Sequence, residues 1–219
     1  MKKAVVLLSG GLDSTTCMAV VKNEGYELYP ISFNYNQRHK RELALAKKIA
    51  AYYGAEEHEI ISMENVGGSA LTDMSIDVPV YKGDHHIPIT YVPARNILFL
   101  SYALGYAEVI GAEAIVIGVS AVDYSGYPDC RPEFIEAFQK IVDVGTAAGV
   151  EGKSIKIITP LIHLSKAETI KLGHQLQVPY HLTTSCYNGE EKACGVCDSC
   201  VLRLKGFEEA KLEDPIAYK

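Results

Sequence analysis

The sequence predicts an α/β fold, with an open, mainly parallel five-stranded sheet and helices on both of its faces. Three observations support this prediction. Short runs of branched apolar residues alternate with helical patterns, which is typical of a parallel sheet covered by helices. These runs lack strict polar alternation, as expected for strands buried on both faces. The 219 residues, 48% hydrophobic and 22% charged, also suit one domain of ordinary globular composition.

Each predicted strand is short, and helical patterns separate the strands along the chain. We predict strands at residues 4–8, 27–33, 57–61, 114–118 and 154–158, and helices at residues 14–23, 39–53, 94–110, 132–148 and 165–175. Gly25, Gly54 and Gly111 follow predicted helices, at positions where glycine commonly ends a helix in the left-handed conformation. Pro93 and Pro132 suit a first helical turn.

Two stretches, residues 62–91 and 120–131, fit no regular element and are long for simple connections. Loops of this length are often lids or binding loops, and disorder is the alternative. In an open parallel sheet, ligands bind outside the carboxyl ends of the strands. We therefore expect the chemistry in the loops that follow Leu8, Phe33 and Gly118.

Charge and composition exclude several classes of protein. A net charge of −6, from 27 acidic and 21 basic residues, argues against a protein whose main task is coating nucleic acid. The longest nearly apolar stretch, residues 114–122, is about half of the ~20 residues that a membrane-spanning helix needs. The first residues show no convincing signal-peptide cleavage site. We expect a cytoplasmic protein with small-molecule substrates and no direct nucleic-acid or membrane partner.

The strongest local motif is SGGLDSTT at residues 9–16, directly after the first strand and at the start of a helix. Two glycines let the backbone approach an anion closely, and the helix N-terminus offers free N–H groups and a favourable dipole. Ser9, Ser14 and Thr15 add hydroxyl groups. A simple helix cap at Asp13 or Ser14 is the alternative. The two other common phosphate motifs, G-x-x-x-x-G-K-[ST] and G-x-G-x-x-G after a strand, are missing from the sequence.

Four of the six cysteines lie in one short segment near the end of the sequence, as Cys186, Cys194, Cys197 and Cys200. In a reducing compartment such crowding suggests a metal before disulfides. Four thiolates can close the tetrahedral shell of one structural zinc ion. An iron–sulfur cluster is the main competitor, although no cysteine before a proline follows as in the bacterial ferredoxin pattern. Disulfides or free thiols are the remaining alternative. Cys17 and Cys130 are interpreted as small buried hydrophobic residues.

Three further regions place polar or charged groups near the predicted sheet edge. Residues 33–41 combine amide, phenol and cationic groups. Since cations are unfavourable at a helix N-terminus, these groups favour a bound anion, and a solvated loop followed by a polar first helical turn is the alternative. Arg95 opens an otherwise apolar helix and needs an anionic partner, for which a structural carboxylate is the alternative. Residues 123–131 are rich in turn residues. Lys166 and Glu168 begin the last predicted helix, either to meet phosphate and a cation or as surface residues.

Residues 9–14 resemble the SGGxDS pyrophosphate loop of the ATP pyrophosphatase family. Further segments, in order along nearly the whole chain, resemble the 7-cyano-7-deazaguanine synthase family: SGGLDSTTC, SFNYNQRHK, VPARN, SGYPDCRPEF, PL followed by SKAET, and SCYNG followed by CGVCDSCVLR. Ala94 departs from this pattern, which more often has glycine there. The resemblance implies an adenine nucleotide alpha hydrolase-like domain at residues 1–180. It also implies a four-cysteine zinc-binding segment with a C-terminal helix, packed on the same domain, at residues 181–219.

The resemblance also implies an activity, that of a carbon–nitrogen ligase with Mg-ATP as co-substrate. Such an enzyme converts 7-carboxy-7-deazaguanine and ammonia to the nitrile through adenylylated intermediates, and two ATP are needed because two oxygens must leave. It implies that ATP is bound by Leu8, Ser9, Gly10, Gly11, Leu12, Asp13, Ser14, Thr15, Thr16, Cys17 and Met18. The ammonia source stays open, and a homodimer is compatible with the resemblance.

Roles for other residues follow from the same resemblance. Substrate contacts would come from Tyr35, Gln37, Arg38, Arg95, Asp123, Tyr124, Ser125 and Asp129. We expect catalytic roles for Ser14, Arg95 and Lys166. Lys166 and Arg38 would stabilise charge on the leaving pyrophosphate, and Arg95 would hold the substrate carboxylate or a phosphate. Either Asp123 or Asp129 would accept hydrogen bonds from the ring, and Tyr35, Tyr124 or Tyr127 would stack on it.

Two other functions are open at this point. A tRNA thiolase, or another ligase with the same loop that acts on a macromolecule, would need a basic face, which the net charge disfavours. A DNA-binding regulator of the zinc-ribbon type would need a basic footprint around the cysteines. The charges there are balanced, with Lys192, Arg203 and Lys205 against Glu190, Glu191 and Asp198.

Overall fold

A five-stranded sheet organises the computed structural model, which describes residues 2–38, 40–55, 57–63, 66–80, 87–122, 126–188 and 191–219. Its strands are β1 (Lys3–Leu7), β2 (Glu27–Asn34), β3 (Glu59–Ser62), β4 (Ala114–Val116) and β5 (Lys156–Ile158). Their order is β3-β2-β1-β4-β5, and every neighbouring pair is parallel. The predicted five-stranded parallel sheet is therefore confirmed.

Helices connect the strands and follow the last of them. They are α1 (Leu12–Asn23), α2 (Lys40–Tyr52), α3 (Arg95–Ile110), α4 (Pro132–Gly145), α5 (Ala147–Val150), α6 (Lys166–Gln175) and α7 (Asp198–Ala210). Gly25, Gly54 and Gly111 have positive φ angles directly after α1, α2 and α3, as predicted for helix ends. Within the described residues, no helix is both long and apolar enough to cross a membrane.

The two faces of the sheet bury separate cores. Val5 and Leu7 of β1 pack with α3 and α4, while Ala4 and Val6, which point the other way, pack with α1 and α2. Such alternation along one strand is the geometry of a sheet covered on both sides. Helices on both faces are therefore confirmed, and Cys17 is fully buried in the second core, as predicted.

One predicted helix is interrupted in the structure. The helix predicted at residues 132–148 ends at Gly145, and Thr146 begins α5 by accepting a hydrogen bond from the Gly149 N–H at 2.9 Å. Gly149 lies so close to α4 that an added Cβ would be 2.5 Å from the Val142 carbonyl oxygen. The break and the glycine together let the chain fold back on itself before β5.

Helix α7 follows the cysteine segment and packs on α6. Phe207 and Ala210 share an apolar cluster with Ala167 and Ile170 of α6, and Leu12 at the start of α1 joins the same cluster. The two helices are so close at Gly206 that an added Cβ would be 2.5 Å from Cγ of Lys166. This packing holds the start of α6 beside the start of α1.

Candidate active site

A cavity of about 320 Å³ lies at the carboxyl edge of the sheet. It is lined by the end of β1 with the loop after it, by the end of β2, and by residues 117–120 after β4. The three loops in which functional residues are expected therefore border the same cavity. A cavity at this edge is the usual ligand site of an open parallel sheet.

The glycine loop after β1 forms one wall of the cavity. Gly10 has φ +85°, and a Cβ there would be 2.5 Å from the Glu42 carbonyl oxygen, so only glycine fits the close approach of α2. The Ser9 N–H donates to Ser14 Oγ at 3.2 Å, and the two hydroxyl oxygens are 3.0 Å apart. The Gly11 N–H donates to Ser9 Oγ at 3.2 Å. The loop is thus held in shape by its own hydrogen bonds.

The structure divides the residues predicted to bind ATP into two groups. Those that line the cavity are Leu8, Ser9, Gly11, Leu12, Asp13 and Ser14. Thr15 and Thr16 are fully buried and donate their hydroxyls to the Gly11 and Leu12 carbonyl oxygens. Cys17 and Met18 are in the core, and Gly10 lies under the loop. The part of this segment that borders the cavity is therefore residues 8–9 and 11–14.

Lys166 is placed at this loop by α6. Its Nζ donates to both carboxylate oxygens of Asp13, at 2.7 and 2.8 Å. The start of α6 is fixed by a capping box, in which Ser165 and Glu168 exchange hydrogen bonds. Glu168, predicted to meet a cation or lie at the surface, has an exposed carboxylate that serves this cap. The cation beside the glycine loop is thus Lys166.

Tyr35, Gln37 and Arg95 also line the cavity. Arg95 Nη1 donates to the Tyr35 hydroxyl at 3.1 Å, and its guanidinium lies 5.8 Å from the Tyr35 ring centre. Gln37 closes the turn after β2, since it accepts from the Tyr35 N–H at 2.8 Å and donates to the Phe33 carbonyl oxygen at 3.0 Å. Tyr127 and Tyr187 also line the cavity, with their hydroxyls 3.5 Å apart.

Two of the predicted substrate residues make other contacts. The Arg38 guanidinium donates to the Asp73 and Ile76 carbonyl oxygens, and Arg38 is absent from the described residues that line the cavity. Asp129 is buried and accepts a hydrogen bond from the Asn96 N–H at 2.9 Å, at the N-terminus of α3. Asp123, Tyr124 and Ser125 lie outside the described residues.

Sequence reasoning missed two charged residues of the cavity, Glu42 and Arg203. Burial raises the pKa of the Glu42 carboxyl to about 7, although the Arg95 guanidinium lowers it. Arg203 is 1% exposed and forms a double ion pair with Asp214, at 2.8 and 2.9 Å. Glu42 is the only acidic residue in the α2 sequence, but this local feature does not indicate that it lies at the cavity.

The four clustered cysteines converge as predicted. The sulfurs of Cys186, Cys194, Cys197 and Cys200 all lie within 4.8 Å of one another, and none of the six cysteines, all of which the structure describes, forms a disulfide. The Cys194 and Cys200 sulfurs are 3.9 Å apart, close to the roughly 3.8 Å that tetrahedral geometry with Zn–S distances of about 2.3 Å requires. The Cys194 N–H donates to Cys186 Sγ at 3.3 Å. The cluster can therefore hold a metal ion.

The cysteine segment is joined to both the cavity and the long loop before α3. The Thr184 N–H donates to the Gly10 carbonyl oxygen at 3.1 Å, so the stretch of chain before Cys186 supports the glycine loop. Val80 pairs with Cys197 in an isolated bridge. Any metal bound at the cysteines would therefore order residues that contact the cavity.

The parallel sheet and the loop after β1 define an ATP pyrophosphatase-type α/β protein. The fold is similar to that of NMN synthetase from Francisella tularensis, with a TM-score of 0.51 and 14% identity over 97% of this chain and 87% of that one. It is also similar to a 4-thiouridine synthetase crystallised with RNA and ATP, with a TM-score of 0.50 and 17% identity over 96% of this chain and 50% of that one. These identities show the fold alone.

Residues 3–211 match the model of the family described as "Queuosine biosynthesis protein QueC", and the chain belongs to this family. A 7-cyano-7-deazaguanine synthase 2 of Desulfitobacterium hafniense is 70% identical over 100% of this chain and 94% of its own length. Proteins named 7-cyano-7-deazaguanine synthase from Acetivibrio thermocellus and Coxiella burnetii are 69% and 60% identical, each over 100% of this chain and 98% of the relative. The resemblance inferred from the motifs is confirmed.

Proposed function

We propose that this chain is an ATP-dependent ligase that converts 7-carboxy-7-deazaguanine and ammonia to 7-cyano-7-deazaguanine. The observation that carries the proposal is the 70% identity to a synthase of that name over the whole chain. The cavity agrees with it, since the glycine loop, Lys166 and Arg95 all line one space. A carboxylate oxygen is a poor leaving group, and adenylylation makes it displaceable.

The glycine loop and Lys166 are assigned to ATP. Free N–H groups at the start of α1 and the hydroxyls of Ser9 and Ser14 bind the pyrophosphate part. Lys166 stabilises the negative charge that develops on pyrophosphate when the α-phosphate is attacked. Mg²⁺, held by Asp13 when bound, would offset part of the phosphate charge. The buried Thr15, Thr16, Cys17 and Met18 support this wall from inside.

Arg95 is assigned to the substrate carboxylate. Its guanidinium is held against Tyr35 at the cavity wall and presents the fork geometry that suits a carboxylate. Tyr35, Tyr127 and Tyr187 offer aromatic faces for the deazaguanine ring. Arg38 and Asp129 act by positioning, through the loop at residues 73–76 and the start of α3. Asp123 is left as the carboxylate for the ring N–H groups, with Tyr124 and Ser125 beside it in sequence.

A structural zinc ion is assigned to Cys186, Cys194, Cys197 and Cys200, one per chain. Four cysteines leave no open coordination position, so the metal takes no part in the chemistry. The charge balance around the cysteines and the net charge of −6 favour small-molecule substrates over nucleic acid. Homodimer formation and a cytoplasmic location stay predictions.

Mass spectrometry of a complete reaction tests the function. Purified protein is mixed with ATP, Mg²⁺, ammonium and 7-carboxy-7-deazaguanine, and each component is omitted in turn. We expect the nitrile, two AMP per nitrile, and the amide as an earlier species. Cleavage of ATP to AMP without either product would keep the pyrophosphate-loop assignment and overturn the substrate. No ATP turnover by folded, metal-replete protein would overturn the function.

A further inference from the structure

One carboxyl group of the cavity has no partner within the described part of the protein. Glu42 lies in the first turn of α2 and lines the cavity next to the glycine loop, since its own carbonyl oxygen contacts Gly10. Across the residues that the structure describes, no group donates a hydrogen bond to the Glu42 carboxylate and no cation pairs with it. A partly buried carboxylate without a partner is costly and therefore needs an explanation.

The other charged groups that line the described cavity are engaged. Both oxygens of Asp13 accept from Lys166, and Arg203 is paired with Asp214 outside the cavity. Arg95 donates to the Tyr35 hydroxyl. Among the described lining residues, this leaves Glu42 as the acidic residue whose carboxylate has no hydrogen-bond or ion-pair partner.

Other proton acceptors are scarce at this place. Burial raises the pKa of the Tyr35 phenol, so it stays protonated at neutral pH. The described residues that line the cavity include no histidine. Burial likewise raises the pKa of Glu42 to about 7, against the opposing effect of Arg95. A pKa near the working pH is what a general base needs, because it must both take up and release a proton.

The proposed reaction needs such an acceptor three times. When ammonia becomes an amide nitrogen, the nitrogen must lose a proton. The amide nitrogen still carries two hydrogens, of which one must leave when the amide oxygen is adenylylated and the other when the resulting imidate becomes the nitrile. Apart from Asp13, whose carboxylate oxygens both accept from Lys166, the residues already assigned to ATP and to the substrate carboxylate are cations, hydroxyls and N–H groups. These groups donate hydrogen bonds to anions and do not serve as bases at neutral pH.

We propose that Glu42 is the general base that takes these protons from the substrate nitrogen, an inference that rests on the proposed function. In the first step the lone pair of ammonia forms a bond to the adenylylated carboxyl carbon. The carbon–oxygen bond to AMP then breaks, AMP leaves with that electron pair, and the proton goes from nitrogen to the Glu42 carboxylate. Glu42 releases this proton to solvent, and when the amide oxygen attacks the second ATP and pyrophosphate leaves, it takes one of the two N–H protons, which gives a neutral adenylylated imidate. In the last step Glu42, again deprotonated, takes the remaining N–H proton of the imidate. The electron pair of the N–H bond completes the carbon–nitrogen triple bond as AMP leaves.

Two partial reactions separate a base from a positioning residue. Exchange of labelled pyrophosphate into ATP, driven by 7-carboxy-7-deazaguanine without ammonium, reports adenylylation alone. Nitrile formation with ammonium also needs the nitrogen steps. For Glu42→Gln, which keeps the size of the side chain, we expect exchange within about threefold of the wild type and nitrile formation reduced by about 10²–10⁴-fold.

Hydroxylamine gives an independent readout. It is largely unprotonated at neutral pH, so it attacks the acyl adenylate with less help from a base. We expect Glu42→Gln to lose no more than about tenfold in hydroxamate formation, well below its loss with ammonium. Glu133→Gln is the matched control, because Glu133 is an exposed acid in the first turn of α4 and lies outside the cavity. It should behave as the wild type in all three assays.

The possible results distinguish a failure of the general-base proposal from a failure of the proposed function. Equal loss of exchange and nitrile formation in Glu42→Gln would show a positioning role and overturn the base, as would nitrile formation within about threefold of the wild type. Absence of both exchange and nitrile in the wild type would overturn the proposed function itself. Melting temperatures verify folding. If Glu42→Gln does not fold, Glu42→Asp replaces it. We again expect nitrile formation to fall more than pyrophosphate exchange, but by a smaller factor than in Glu42→Gln.

Discussion

Lys166 and Asp13 form an ion pair that joins the starts of two helices at the cavity. Lys166 is the first residue of α6, Asp13 is the second residue of α1, and their contacts measure 2.7 and 2.8 Å. Gly206 of α7 packs against the Lys166 stem, which holds the ammonium group at the glycine loop. The pair therefore supplies a fixed cation where the pyrophosphate charge would develop.

Replacement of this lysine should slow adenylylation. We expect Lys166→Met to reduce substrate-dependent pyrophosphate exchange by about 10²–10³-fold, because one charge-stabilising donor is lost and Asp13 is left to repel phosphate. The measurement is labelled pyrophosphate exchange at saturating ATP. Lys171→Met, on the exposed side of the same helix, is the control and should keep full exchange. An equally active Lys166→Met would contradict the assignment.

The Arg203–Asp214 pair should be essential for stability. Both side chains are almost fully buried, at 1% and 5% exposure, and Arg203 also donates to Thr183 Oγ1 at 2.8 Å. Arg203→Met leaves Asp214 buried without its cation, so we expect a loss of about 3–5 kcal/mol in the free energy of unfolding. Urea denaturation measures this loss.

Lys205 of the same helix is the control for Arg203. It is exposed and pairs with Glu209 at 3.7 Å, so Lys205→Met should cost less than about 0.5 kcal/mol. If the two variants lose the same amount, the buried pair does not contribute as the structure indicates.

Ala94 occupies a backbone conformation that favours glycine. Its φ is 55° and its ψ is 20°, at the residue before α3. The left-handed conformation costs a non-glycine residue about 1 kcal/mol or more. We expect Ala94→Gly to raise the free energy of unfolding by about 0.5–1 kcal/mol, since the relief of strain exceeds the greater freedom of glycine in the unfolded chain. Urea denaturation of both proteins tests this, and a less stable variant would contradict it.

The strands, the glycine loop and the cysteine cluster are predictable from sequence because local patterns determine them. An apolar run, a glycine pair before a helix and four closely spaced thiols each have a signature within a few residues. Ala94 belongs here as well, since the family pattern places glycine at this position and the structure shows the positive φ that explains the glycine.

Glu42 and Arg203 were not predictable as site residues because their surroundings come from distant parts of the chain. In the sequence, Glu42 is one of many charges in a basic segment. Only the packing of α2 against Gly10 places it at the cavity. In the sequence, Arg203 is one of the balanced charges around the cysteines. In the structure, α7 buries it with Asp214. The family resemblance assigns Arg38 to the substrate and to pyrophosphate, and in the structure its guanidinium donates to carbonyl oxygens of the long loop after β3. Which elements meet is decided by packing, and local patterns do not encode it.

The metal content of the cysteine cluster is a direct test of the zinc assignment. We expect about one zinc per chain in the purified protein by elemental analysis. Cys197→Ser should lack zinc and be poorly soluble, because the segment around the cysteines has a small apolar core of its own and depends on the metal for order. Cys130→Ser, outside the cluster, should keep its zinc. Iron with visible absorbance would overturn the assignment in favour of an iron–sulfur cluster.

The pKa of Glu42 makes the stability of the protein depend on pH in a predictable direction. Burial raises this pKa from 4.5 to about 7 in the folded chain, with Arg95 opposing the shift and Cys186 adding to it. The unfolded chain therefore loses the proton first as pH rises. Glu42 therefore makes its full contribution to the free energy of unfolding below pH 4.5. This contribution is lost as pH rises through about 7.

Glu42→Gln removes this titration. At pH 8 we expect the variant to be more stable than the wild type by about 1–3 kcal/mol, because a neutral amide avoids the cost of a desolvated carboxylate. At about pH 5 most of the difference should vanish, since the folded wild type then carries a protonated Glu42. Urea denaturation at a series of pH values between these two limits measures the two curves. Parallel curves would mean that Glu42 titrates equally in the folded and unfolded chains, and the unpartnered carboxylate would then need a cation or solvent beside it.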